Sequence, residues 1–122
     1  MNTVERFPSP IAAPLSKAVR AGGFLFLSGQ TPKNADLTPF RGDIKQQTAN
    51  VLDIIKTTLG EFGLDLTSVV RCTVWLSDIS MMKEFNGVYA EYFGGNLPVR
   101  STVEAKLAND IDVEIEVTAW AG

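Results

Sequence analysis

Near its end the chain reads Leu97-Pro98-Val99-Arg100-Ser101-Thr102-Val103-Glu104 and then Val113-Glu114-Ile115-Glu116-Val117, two stretches that alternate apolar and polar residues. Side chains of a strand point alternately to opposite faces of a sheet, so each stretch predicts a strand with one apolar and one polar face. The apolar face would hold Val99, Ser101, Val103, Ala105 and Leu107, together with Val113, Ile115, Val117 and Ala119. The polar face would hold Arg100, Thr102 and Glu104 beside Asp112, Glu114 and Glu116.

Arg100 and Glu114 are the residues of this polar face that suggest chemistry. A guanidinium can grip a carboxylate through two parallel hydrogen bonds, and a nearby glutamate can move protons or orient water. The pattern therefore predicts a site for hydrolysing a small acidic molecule. Two structural interpretations compete with it: Arg100 could pair with Glu116 across a hairpin, and Glu114 could be a solvated strand residue.

The register of the expected hairpin stays open. One register sets Arg100 opposite Glu116, and a slide of two residues sets it opposite Thr118 with Lys106 opposite Asp112. Each register leaves one unfavourable pair of like charges across the strands, so charge pairing does not choose between them.

Composition predicts a single globular domain over residues 1–122. The hydrophobic fraction is 45% and the charged fraction 20%, which is typical of a folded chain. A net charge of -3 without a basic run argues against nucleic acid as a partner. No apolar run is long enough to span a bilayer, and residues 1–6 lack the layout of a signal peptide, so we expect a cytoplasmic protein without membrane association.

The chain has no histidine and one cysteine, Cys72. The lack of histidine excludes Ser-His-Asp and Cys-His nucleophile systems and histidine-based zinc sites, and one cysteine cannot build a thiolate metal site. Acid–base chemistry must therefore fall to Asp, Glu, Tyr, Lys or bound water. Cys72 shares a predicted strand face with Val70 and Val74, which indicates a small core residue that suits a reducing compartment.

Two helices are predicted. Asp43 and Gln46 have the spacing of a capping box, so the first helix should begin at Asp43 and stop at Gly63. Its apolar stripe comprises Val51, Leu52, Ile55, Leu59 and Phe62. The second helix should span residues 80–93 and bury Met82, Phe85, Tyr89 and Phe93.

Strands are predicted over residues 17–21 and 24–28, joined by a Gly22-Gly23 turn, and over 68–77, with an optional strand at the N-terminus. With the two final strands this order indicates an α+β fold in which two helices cover one face of a single sheet. The other face would stay open and would carry Arg71, Trp75, Arg100, Thr102, Glu114, Glu116 and Trp120. A sheet face with two tryptophans usually meets a partner, and we expect self-association.

Four segments together resemble the RidA/YjgF family. Residues 21–30 end in the "SGQ" signature, residues 98–104 match "PxRSxVE", and residues 113–117 match the closing "IEIE" strand. Asn86, within Phe85-Asn86-Gly87-Val88-Tyr89, matches the family's Asn-and-aromatic helix. The likeness covers nearly the whole chain in order and spacing.

The resemblance implies a bacillar chorismate mutase-like fold, a single mixed sheet of about six strands with two helices on one face. It further implies a homotrimer with active sites between subunits, and hydrolysis of enamine and imine intermediates, such as 2-aminoacrylate and 2-iminopropanoate, to a 2-keto acid and ammonia. It implies no cofactor and no metal. The expected small-molecule partner therefore bears a carboxylate.

The resemblance also assigns site residues. Arg100 matches the arginine that holds the substrate carboxylate, and Glu114 matches the glutamate that positions or activates water. Ser28, Gly29 and Asn86 match pocket residues. The chain departs from the well-studied branch at two binding positions, with Leu15 in place of an aromatic residue and Thr102 in place of a cysteine.

These residues are compatible with three functional hypotheses. The first is an imine deaminase that uses Arg100 and Glu114. The second is a regulatory trimer that binds a small carboxylate without turnover, which Leu15 and Thr102 make credible. The third is an endoribonuclease, which the acidic pI and the lack of histidine disfavour.

Overall fold

Six strands form one mixed sheet in the computed structural model, which describes residues 3–122. Met1 and Asn2, the start of the segment inspected for a signal peptide, lie outside the described residues. The sheet order is β1-β2-β3-β6-β4-β5. The strands are β1 (Glu5–Pro8), β2 (Ser16–Ala21), β3 (Phe24–Leu27), β4 (Val69–Leu76), β5 (Val99–Glu104) and β6 (Val113–Trp120).

The helices are α1 (Ile44–Glu61) and α2 (Met82–Phe93). The predicted capping box is confirmed: the Gln46 backbone N–H donates to Asp43 Oδ1 at 2.8 Å, and the Asp43 N–H donates to Gln46 Oε1 at 2.9 Å. The glycine stop is also confirmed, since Gly63 has a φ of +72° and the Leu64 N–H donates back to the Leu59 carbonyl at 2.9 Å. Among the described residues, neither helix is long and apolar enough to cross a membrane.

The core lies between the helices and one face of the sheet. The predicted stripe of α1 is buried at Val51, Leu52, Ile55 and Leu59, with Phe62 packed at its margin. The apolar residues of β6 that the alternation predicts are buried as well: Val113, Ile115, Val117 and Ala119. Cys72 is fully buried, which confirms that it is a core residue.

The expected hairpin of the last two strands is wrong. β5 pairs in parallel with β4, and β6 lies antiparallel between β3 and β4. A strand, a helix and a second strand in succession favour a parallel crossover, and β4, α2 and β5 form such a unit. Both hairpin registers are therefore excluded, because β4 separates β5 from β6.

The faces of β5 are consequently the reverse of those predicted. Arg100 stands beside Cys72 and Thr102 beside Val74, so both side chains turn toward the helices. Val99 and Val103 turn to the open face, where 64% and 46% of their surface is exposed. As an edge strand, β5 gives its apolar residues no neighbour on that side within the described chain.

A bulge at the start of β4 corrects another placement. The pairing of β4 with β6 shifts between Val69 and Arg71, and an extra residue in one strand reverses which side chains face the core. Val69 is buried, whereas Val70, which alternation puts in the core, is exposed.

The open face of the sheet carries a set of large apolar side chains. The Phe24 and Trp120 rings meet edge to face with centroids 5.1 Å apart, and 51% of the Trp120 surface is exposed. The exposed apolar residues of this face are Phe24, Phe26, Val70, Val99, Val103 and Trp120. Such a patch supports the expected self-association, which stays a prediction.

One buried glutamine ties α1 to the start of β6. Gln47 is 1% exposed; its Nε2 donates to the Gly42 carbonyl at 2.7 Å and to Asp112 Oδ2 at 3.0 Å. Its Oε1 accepts from the Asp112 backbone N–H at 2.8 Å, and the Ser77 hydroxyl donates to Asp112 Oδ1. Asp112 therefore points to the helix layer rather than lying beside Glu114.

We expect Gln47→Leu to lower the free energy of unfolding by about 2 kcal/mol or more, because it leaves partly buried groups of Asp112 and Gly42 without partners. Gln46→Leu is the matched control. It removes one exposed hydrogen bond on the same helix and should cost about 1 kcal/mol or less. Denaturant unfolding of both variants measures the difference, and equal losses would contradict this account.

Candidate functional site

The residues singled out from the sequence fall into two groups at different strands of the sheet. One group surrounds the end of β3, and the other surrounds the edge strand β5. The first comprises Leu15, Ser28, Gly29 and Glu114, and the second comprises Asn86, Arg100 and Thr102.

A cavity of about 750 Å³ lies at the end of β3. Leu15, Ser28 and Gly29 line it, so the structure brings three of the predicted residues to one place. Other apolar side chains that line it are Pro8, Pro10, Ile11, Leu37 and Ile54. Glu114 is not part of this lining, but its carboxylate lies directly behind Gly29.

The segment after β3 is fixed by hydrogen bonds on both sides. The Ser28 hydroxyl donates to the Ser16 carbonyl at 2.6 Å, and the Ser28 N–H donates to the Lys17 carbonyl at 3.2 Å. Gln30 exchanges two backbone hydrogen bonds with Ile115 of β6, at 2.8 and 3.0 Å. Because Gln30 pairs with Ile115, Gly29 lies beside Glu114, the preceding residue of β6.

Gly29 is required at this approach because it has no side chain. A Cβ added at Gly29 would collide with Oε2 of Glu114 and would stand 3.1 Å from its Cδ. The carboxylate thus packs against bare backbone at the wall of the cavity.

Glu114 lies on the open face of the sheet, opposite Trp75 of β4, and is half-buried. Burial raises the pKa of the Glu114 carboxyl, because it disfavours the charged form; the positive charge of Lys33 acts against this shift, and the negative charge of Glu116 adds to it. A carboxyl with a raised pKa is suited to exchange a proton.

Lys33 is a site residue that the sequence did not reveal. It lines the cavity with Ser28 and Gly29, and its ammonium donates to the Thr31 carbonyl at 3.2 Å and to Thr31 Oγ1 at 3.0 Å. Asn50 of α1 bonds both the N–H and the carbonyl of Lys33, at 2.8 and 2.9 Å. A lone lysine in an irregular loop has no periodicity, so only its position after "SGQ" could have indicated it.

Arg100 lies over the aromatic residues of α2. Its guanidinium carbon is 4.8 Å from the centre of the Tyr89 ring and 5.4 Å from that of Phe85, a cation–π arrangement. The alternative interpretation of Arg100, an ion pair with Glu116, is not observed, since within residues 3–122 the salt bridge found is that of Lys17 with Glu61. Arg100 therefore has no carboxylate partner in the described chain.

Two buried hydroxyl groups accompany Arg100. Within the described residues, Thr102 Oγ1 is buried without a hydrogen-bond partner, and the buried Tyr89 hydroxyl lies beside the Cys72 thiol. Burial raises the pKa of Tyr89, and it raises the pKa of Cys72 to about 11, so both groups are neutral near pH 7. These hydroxyl and thiol groups are thus uncharged and leave the positive charge of Arg100 available to an anion.

Asn86 is exposed on α2, adjacent in sequence to Phe85. Its pocket role stays a prediction.

One chain does not bring Arg100 and Glu114 together. They lie on opposite faces of the sheet, with β4 between their strands. Two strand spacings alone amount to about 10 Å. A site that uses both residues needs a second copy of the chain.

The comparisons with known proteins agree with the motifs. The family model described as Endoribonuclease L-PSP matches residues 7–121. A RutC family protein of Pyrococcus horikoshii is 43% identical over 120 residues, which cover 95% of this chain and 93% of that protein. The chain belongs to the RidA/YjgF family.

Solved structures of the family confirm the predicted fold. The crystal structure of yeast Mmf1 superposes with a TM-score of 0.91 at 34% identity, covering 98% of this chain and all of that one. A Yersinia pestis structure described as a member of the conserved Rid protein family has a TM-score of 0.86 at 38% identity, covering 94% and 93%. The name of yeast Mmf1 describes that protein as mitochondrial; a cytoplasmic location for this chain stays a prediction.

We expect Gly29→Ala to displace the Glu114 carboxylate while the fold persists. The obstructing atoms are the end of the flexible Glu114 side chain, and the backbone of Gly29 does not have a positive φ. The free energy of unfolding should therefore change by about 1 kcal/mol or less. A crystal structure of the variant checks the displacement. Gly87→Ala on α2 meets no atom within 4 Å and serves as the control. A Glu114 carboxylate in the same place in Gly29→Ala would contradict the role given to Gly29.

Proposed function

We propose that this protein is a cofactor-independent imine and enamine deaminase that works as a homotrimer. Each site would combine Arg100 and Thr102 of one subunit with Ser28, Gly29 and Glu114 of the next. The observation that carries the proposal is the separation of two reactive groups: an arginine without a carboxylate partner and a half-buried glutamate, on opposite faces of one sheet.

The surfaces of the chain support assembly through these parts. Arg100 belongs to an edge strand, and Glu114 belongs to an open face that exposes Phe24, Phe26 and Trp120. A second copy that covers this apolar face with its own edge strand would bury the patch and bring its arginine toward Glu114. The same contact would complete the site and stabilise the oligomer.

Arg100 would bind the substrate carboxylate. Its planar guanidinium offers parallel donors that match a carboxylate, and the aromatic rings of Phe85 and Tyr89 hold it in place. The Thr102 hydroxyl, buried without a partner among residues 3–122, would donate to the same carboxylate.

Glu114 would activate the water. As the ionised carboxylate it accepts a proton from water while the water oxygen bonds to the carbon of the C=N group, giving a tetrahedral carbinolamine. The carboxyl returns this proton to the nitrogen, and the carboxylate then moves the proton of the new hydroxyl to the same nitrogen. The C–N bond breaks as the C=O bond forms, and ammonia and the 2-keto acid leave. Imines already hydrolyse in water, so positioning the reactants supplies much of the acceleration.

The test couples the protein to a pyridoxal-dependent serine or threonine dehydratase and measures the rate of free keto-acid formation. Arg100→Ala should lower kcat/KM by roughly 10- to 100-fold, because a charge-assisted bond to the carboxylate is lost. Glu114→Gln should lower kcat by roughly 100-fold, because the proton acceptor is lost.

Two variants control for loss of charge. Glu116→Gln removes a carboxylate two residues along the same face of β6, and Lys83→Ala removes an exposed cation of α2; both should keep the activity of the original protein. No acceleration by the original protein, or equal acceleration by Arg100→Ala, would reject the deaminase. Carboxylate binding without turnover would favour the regulatory trimer instead.

A further inference from the structure

We propose that Leu37 and Ile54 are specificity-determining residues, which receive the side chain of the substrate. They would select imines with a long or branched apolar side chain over 2-iminopropanoate, whose side chain is a methyl group. This inference deepens the proposed deaminase and rests on it for turnover. The preference itself concerns binding and is tested without turnover.

The cavity at the end of β3 extends beyond the residues of the proposed site. Ser28 and Gly29, which belong to that site, line the same cavity as Leu37 and Ile54. A substrate held against Ser28 and Gly29 therefore reaches the apolar wall with the group attached to its reacting carbon. The cavity volume of about 750 Å³ is in the range of pockets for drug-sized ligands, so 2-iminopropanoate would fill only a small part of it.

Ile54 is an apolar residue of α1 that the core does not use. Val51 and Ile55 belong to the buried stripe of this helix, whereas Ile54 is only half-buried. Ile54 and Thr58 are four residues apart, so they lie on the same face of the helix, and both line the cavity. An apolar group that enters the cavity would cover Ile54, and this contact is favourable because both surfaces leave water.

A hydrogen-bonded loop holds Leu37 at the cavity wall. The Leu37 N–H donates to the Asn34 carbonyl at 2.9 Å, and the Asn34 N–H donates to the Thr38 carbonyl at 2.8 Å. Leu37 has a φ of +71°, and 48% of its surface is exposed. This conformation favours glycine or asparagine, so neither the backbone nor the core accounts for a leucine at this position. Contact with an apolar ligand does account for it.

Three charged residues also line the cavity and define the competing class of ligand. The Lys17 ammonium lies 2.7 Å from Glu61 Oε1, so these two charges neutralise each other. The Lys33 ammonium already donates to the Thr31 carbonyl and to Thr31 Oγ1. Since these charged groups have partners within the chain, we expect the apolar wall to decide selectivity. An acidic side chain directed to Lys33 is the alternative in the test.

The decisive measurement is the affinity of the protein for 2-keto acids, the products of the proposed reaction, by NMR titration. The ligands are pyruvate, 4-methyl-2-oxopentanoate and 2-oxoglutarate. 4-Methyl-2-oxopentanoate should bind roughly 10-fold more tightly than pyruvate, because each methylene-sized group that leaves water increases affinity by about fourfold and burial in an open cavity is incomplete. Equal affinities, no detectable binding, or tighter binding of 2-oxoglutarate than of 4-methyl-2-oxopentanoate would overturn the proposal.

Two variants test the residues named. Ile54→Asn and Leu37→Asn should each reduce the preference for 4-methyl-2-oxopentanoate over pyruvate by roughly threefold or more, because apolar contact is lost. Asparagine tolerates a positive φ, so Leu37→Asn should keep the fold. Ile79→Asn replaces an exposed isoleucine outside the cavity lining and should keep the original preference. An unchanged preference in both cavity variants would overturn the assignment.

The deaminase assay separates this inference from the proposed function. An L-amino acid oxidase generates the imines of leucine and alanine, and kcat/KM for the leucine imine should exceed that for 2-iminopropanoate by a factor similar to the ratio of affinities. Equal kcat/KM values would overturn the selectivity and leave the deaminase intact. If neither imine is hydrolysed faster than in water, the proposed function fails, and the keto-acid affinities still decide whether the cavity selects apolar groups.

Discussion

The position of β6 between β3 and β4 is the constraint on which the rest of the structure depends. It forces β5 to the edge of the sheet, in parallel with β4, and thereby sets which way each β5 side chain points. It also places Glu114 beside the segment that follows β3, where Gly29 leaves room for the carboxylate. The position of β6 thus separates Arg100 from Glu114 and places the two side chains in different environments.

Short-range sequence patterns were sufficient to predict the helices and strands, but not to predict which strands pair with each other. The capping box of α1, the Gly63 stop and the stripe of α1 depend on residues close together in the sequence, and the structure confirms them. Strand neighbours depend on contacts between distant residues, and alternation along β5 is equally compatible with either orientation of its faces. Arg100 could therefore be identified as a candidate residue, while the face that carries it could not. The bulge beside Val70 could not be predicted for a related reason: it is a property of the pairing of β4 with β6.

Within one chain the sheet keeps Arg100 and Glu114 apart. An arginine beside a glutamate in one chain would form an ion pair and would lose its capacity to bind a substrate anion. Here Arg100 rests on aromatic rings and neutral hydroxyl groups, and Glu114 keeps a raised pKa against glycine backbone. In the proposed trimer a substrate carboxylate and a water would lie between the two charges.

Subunit complementation tests this division most directly. Arg100→Ala and Glu114→Gln proteins, each of reduced activity, are mixed and allowed to exchange subunits, and native mass spectrometry verifies that mixed oligomers form. If each site takes its arginine from one subunit and its glutamate from the next, about a quarter of the sites in an equal mixture regain both residues, and deaminase activity returns accordingly. Mixed oligomers that remain as inactive as the separate variants would contradict a site shared between chains.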